Sequence, residues 1–93
     1  MTKSEVKTVV VGVLQEVVDA IKVKAPPFRD DMRPIGALPH FDSILAEDTT
    51  VQLFQRLGLE SNDDVNPFVR NRRACTLADV IESLHALVAK AKA

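Results

Sequence analysis

Four prolines, Pro26, Pro27, Pro34 and Pro39, crowd residues 23–41 together with Gly36 and the charged cluster Arg29, Asp30, Asp31 and Arg33. Each proline removes a backbone donor and pushes the residue before it out of the helical region, so neither a helix nor a central strand runs through this stretch. The segment reads as a long loop, and a loop of this length inside a small domain is more often functional than idle. The chain has 93 residues, which suffice for one domain and one modest core but leave no volume for a deep enclosed active site.

Either side of the loop the apolar residues keep a helical period. Val6, Val9, Val10, Val13, Leu14, Val17, Val18 and Ile21 predict a helix over about residues 4–22, with Ser4 as N-cap and Lys22 and Lys24 near the negative end of its dipole. A second helix over about 43–57 starts at the N-cap Asp42 and stops at Gly58, a residue free to turn left-handed. A third over about 76–90 opens with a Thr76–Asp79 capping box, a Cys75–Val80 staple and the stripe Leu77, Val80, Ile81, Leu84, Leu87 and Val88. The connector 59–75 leaves room for a short helix at about 63–68 and carries Phe68 toward the core. The expected fold is all-α: a single domain over residues 1–93, a small bundle of three to four helices with a long loop between the first two main ones.

The middle helix is apolar on two sides. Ala46, Thr49, Thr50, Leu53 and Leu57 share one face, and Ile44, Glu47, Val51 and Phe54 the opposite one. Only one face is needed inside, so the second is expected to be an exposed patch bordered by acids such as Asp48.

Composition excludes several classes. There is no apolar run of about 20 residues, the length that spans a bilayer, nor a signal-peptide core, so a cytoplasmic protein without a membrane role is expected. Cys75 is the only cysteine, which leaves no internal disulfide and fits a reducing compartment. Trp and Tyr are absent, so stacking platforms for single-stranded nucleic acid are not expected. Charge is segregated: Asp42, Glu47, Asp48, Glu60, Asp63 and Asp64 face Arg56 alone across residues 42–64, whereas Arg70, Arg72 and Arg73 form a dense basic cluster. That cluster reads as a solvated connector, or more sharply as a dock for an acidic partner. A DNA-reading helix would be basic, and the last helix carries Asp79 and Glu82 in its first half.

The run Phe41-Asp42-Ser43-Ile44 resembles the G-x-D-S-L attachment motif of the acyl carrier protein family. The similarity extends to the order of elements: a first helix, a long loop, Asp-Ser opening the second helix, Gly closing it, and a final helix. His40 stands where the family has glycine, Ile44 where it has leucine, and Glu47 where an apolar residue usually faces partner enzymes. The resemblance implies a carrier that is not itself an enzyme. Ser43 would accept 4′-phosphopantetheine from coenzyme A, with Asp42 supporting the modification. Ile44, Glu47, Asp48, Val51 and Phe54 would then form the docking face. It further implies a phosphopantetheinyl transferase and acyl- or aminoacyl-transferring enzymes as partners, and a monomer in solution.

Two other readings compete. A helical interaction module with the same fold and no prosthetic group would use the same exposed row. His40, Asp42 and Ser43 supply the residue types of a hydrolytic triad, but sequence neighbours do not make one, and there is no nucleophile elbow. The two histidines, His40 and His85, and the single cysteine show no metal-ligand spacing.

Overall fold

The computed structural model describes residues 1–24, 26–60 and 65–92. Its elements are, in order, α1 (Lys3–Ala20), α2 (Pro34–Ala37), α3 (Ser43–Leu57), β1 (Val69–Arg70), β2 (Arg73–Ala74) and α4 (Leu77–Lys92). The protein is therefore mostly helical, as the periodicity predicts, with one two-stranded hairpin that it does not predict.

Helix α1 buries Val6, Val10, Val13, Leu14, Val17 and Val18 and packs against both α3 and α4. Its N-cap is Thr2 rather than Ser4. The Glu5 N–H donates to Thr2 Oγ1 at 3.1 Å and the Thr2 N–H donates to Glu5 Oε1 at 2.9 Å. This reciprocal box satisfies two orphan donors where a Ser4 cap satisfies one, which is why it wins. The helix also stops two residues early. Lys22 turns left-handed at φ 58°, its N–H donates to the Asp19 carbonyl at 3.1 Å, and the Val23 N–H donates to Val18 at 3.2 Å. That is a Schellman ending with lysine in the place glycine usually takes. Ile21, expected in the apolar stripe, is left exposed at the cap.

The proline-rich segment is a fastened loop. At α2, Ile35 (φ −73°, ψ 112°) and Gly36 (φ 107°, ψ −36°) have the angles of a type II turn, whose second central position glycine fills without strain. Upstream, the carbonyls of Met32 and Asp30 accept the N–H groups of Leu77 (2.7 Å) and Ala78 (2.9 Å), the first two residues of α4. Arg33 Nη1 donates to the Ala74 carbonyl at 2.9 Å, and Lys7 pairs with Asp30 at 2.9 Å. The loop thus bridges α1, β2 and the start of α4.

The short helix expected at about 63–68 is not found at 65–68; Asp63 and Asp64 lie outside the described residues. Asn66 Oδ1 accepts the Phe68 N–H at 3.0 Å, a side-chain turn that diverts the backbone from helix. The chain then enters the hairpin, with Val69 opposite Ala74 and Arg70 opposite Arg73. Asn71 and Arg72 link the strands, both at positive φ (52° and 65°), the signature of a type I′ turn.

Helix α4 follows the expected pattern. The Asp79 N–H donates to Thr76 Oγ1 at 3.2 Å, and Leu77, Val80, Ile81, Leu84 and Val88 are buried with Cys75. Phe68 is fully buried and meets the Phe41 ring edge-on, centroids 5.3 Å apart at 67°. Phe41 immediately precedes Asp42 and Ser43, so this core pair anchors the entrance to α3.

Candidate functional site

The start of α3 is built from a strained turn and a cap. The Phe41 N–H donates to the Leu38 carbonyl at 3.2 Å, and His40 between them sits at φ 59°. Glycine adopts this left-handed region freely, and histidine is among the few other residues enriched there. Asp42 follows in extended conformation as N-cap; its Oδ1 accepts the Leu45 N–H at 2.9 Å, and its carbonyl accepts the Ala46 N–H at 2.9 Å.

Ser43 is the first residue of α3 and is exposed. Its hydroxyl has no hydrogen-bond partner among the described residues, and the backbone N–H groups of Ser43 and Ile44 have no protein acceptor there either. An unengaged hydroxyl thus stands beside two free amides at the positive end of a 15-residue helix. Such a site favours an anion attached to the serine oxygen.

Ile44, next to the serine, is 70% exposed, and Val51, two turns on along the same face, is 44% exposed. Glu47 and Asp48 lie between them in sequence and are exposed as well. Phe54 is not part of this surface. It is 4% exposed, because it stands at the turn that ends α3: the Leu59 N–H donates to its carbonyl at 2.8 Å around left-handed Gly58 (φ 71°). Leu59 thereby folds back against the core that Phe54 enters. The docking face expected from the sequence is thus Ile44, Glu47, Asp48 and Val51 without Phe54. The opposite face is buried as expected, with the hydroxyls of Thr49 and Thr50 donating to the carbonyls of Leu45 and Ala46, both at 2.8 Å.

His40, Asp42 and Ser43 are not hydrogen-bonded to one another; the Asp42 carboxylate is engaged by the backbone of its own helix. Among the described residues no group of three or more His, Cys, Asp or Glu side chains converges as a metal site. Burial pushes the Cys75 thiol above its ordinary pKa, and the Asp79 carboxylate adds to the effect. Arg70, Arg72 and Arg73 are exposed on the hairpin, and Arg33 joins them through its bond to Ala74. No local pattern in the sequence pairs Arg33 with residues some 40 positions later; only the tertiary fold does.

No protein-family model, curated protein or solved structure matches this chain. Among the described residues no helix is long and apolar enough to cross a membrane.

Proposed function

We propose that this protein is an acyl carrier that bears 4′-phosphopantetheine on Ser43. The observation that carries this reading is the Ser43 hydroxyl, exposed and unengaged at the first position of α3 beside two free amides. A nucleophile so placed needs no pocket of its own, because another protein's active site can close over it. Asp42 orients the helix start by capping Leu45, and the amides of Ser43 and Ile44 stabilise a phosphodiester on the serine oxygen. The bound arm supplies a terminal thiol on which acyl or aminoacyl groups are held as thioesters. Ile44 and Val51, with Glu47 and Asp48 beside them, present an apolar row edged by carboxylates to the enzymes that load and unload it. The chain itself catalyses nothing in this reading, and it works as a monomer in the cytoplasm.

The test is intact mass after incubation with coenzyme A, Mg²⁺ and a broad-specificity phosphopantetheinyl transferase. The wild type is expected to gain one phosphopantetheinyl group and the Ser43→Ala variant none. A folded wild type that gains nothing with several transferases would favour the second reading, an interaction module that uses the same exposed Ile44–Val51 row without a prosthetic group. The exposure of Ile44 is the observation that supports it.

A further inference from the structure

We propose that the hairpin 69–74 is a second docking surface, independent of Ser43, and that it takes the carboxylates of an acidic segment of a partner protein. The chain has six arginines. Arg29 and Arg56 pair with Asp31 and Glu16. The other four, Arg33, Arg70, Arg72 and Arg73, gather on the hairpin and the loop docked against it, and none has a carboxylate partner among the described residues. Asp79 lines the same surface depression as Arg70, Asn71 and Arg73, yet it forms no ion pair with them.

The hairpin breaks the local rules of stable design three times in six residues. Arg70 lies directly opposite Arg73, and like charges in that relation repel. Arg72 holds a left-handed turn position at φ 65° that glycine fills at less cost. All three hairpin arginines are exposed on one small element, and among the described residues none forms an ion pair, Asp79 in the same depression included. Local choices that lower stability without an ion pair to offset them mark candidate functional sites.

The geometry also suits a definite ligand chemistry. Guanidinium groups offer paired donors that match a carboxylate. Two of the four are already oriented on protein acceptors, Arg33 on the Ala74 carbonyl at 2.9 Å and Arg70 on Ser83 Oγ at 3.3 Å, so little ordering remains to be done on binding. A protein partner fits better than a nucleic acid. The patch is small and the chain as a whole carries net charge −1, so there is no long basic track for a phosphate backbone to follow. Of the four phenylalanines, Phe41, Phe54 and Phe68 are buried and Phe28 is half-buried against the core, so none offers a free stacking face.

The experiment measures anisotropy of a fluorescein-labelled decaglutamate peptide, and of a single-stranded oligonucleotide of equal charge, titrated with the full chain at low salt. The triple variant Arg70→Gln/Arg72→Gln/Arg73→Gln is expected to bind the peptide about tenfold more weakly or worse, since several charge-assisted bonds are lost. The variant Lys3→Gln/Lys24→Gln/Arg29→Gln removes equal charge elsewhere and is expected to lose less than about twofold. Equal losses in the two variants, or no loss in the first, would overturn the proposal. Tighter binding of the oligonucleotide through the same arginines would overturn the choice of a protein partner. Should the triple variant fail to fold, Arg72→Gln at the exposed tip must still weaken the peptide while leaving the circular dichroism spectrum unchanged.

Discussion

Among the described residues, four with side chains occupy the left-handed region, Lys22, His40, Asn71 and Arg72, and each lies in a turn between elements. The conformation costs an ordinary residue roughly 1–2 kcal/mol relative to glycine. Lys22→Gly and Arg72→Gly are each expected to stabilise the protein by about 1 kcal/mol, which for a domain of this size raises Tm by roughly 4–8 °C in a thermal melt. Arg72→Gly should at the same time weaken the binding of acidic peptide, so stability and docking would move in opposite directions. Asp42→Ala, which removes the cap on Leu45, should cost about 1 kcal/mol in urea unfolding. Cys75 gives a pH dependence with a definite sign. Its thiol is held above the ordinary value chiefly by burial, so the native state keeps the proton longer than the unfolded chain. The associated stability is present below the unfolded thiol's pKa and is lost as pH rises through the alkaline range. Unfolding of the wild type should therefore steepen with alkaline pH relative to Cys75→Ala, and iodoacetamide should label the native thiol slowly.

At the scale of elements, the long helices could be read from spacing and caps, and the hairpin could not. Val6 to Val18, Ala46 to Leu57 and Leu77 to Val88 each repeat often enough to reveal a face, and Asp42, Gly58 and Thr76 occupy the caps they advertise. Thr2 and Glu5 have the spacing of a capping box, which only the structure ranks above Ser4. A two-residue strand has no periodicity to detect, and Asn71-Arg72 lacks the glycine that signals a type I′ turn. The placement of Asp42 and Ser43 at a helix start, and of Ile44 and Val51 on its exposed face, is legible because helix starts and helical faces are local. Phe54 was not, because its burial is decided by Leu59 turning back beyond the end of α3. Packing also ranks the elements' sensitivity. Phe68→Ala, at the edge-on contact with Phe41, should cost about 3–5 kcal/mol, a large share of the roughly 5–15 kcal/mol that holds such a domain together. Ile44→Ser should change stability by less than about 0.5 kcal/mol while weakening the docking proposed at α3. Urea denaturation of the two variants checks both.

Across the whole molecule, α1 is the shared support, since α3 and α4 both pack against it. The exposed carboxylates of α3 and the arginines of the hairpin belong to different elements and carry opposite charge. The loop between α1 and α3 is what connects these elements mechanically. It leads into Ser43 at one end, and its carbonyls at Asp30 and Met32 receive the first two amides of α4. Those two amides have no acceptor within their own helix. Hydrogen exchange at Leu77 and Ala78 therefore clocks the lifting of the loop and not the fraying of a helix, providing two built-in probes of whether an event at the start of α3 tightens or loosens the loop that leads into it.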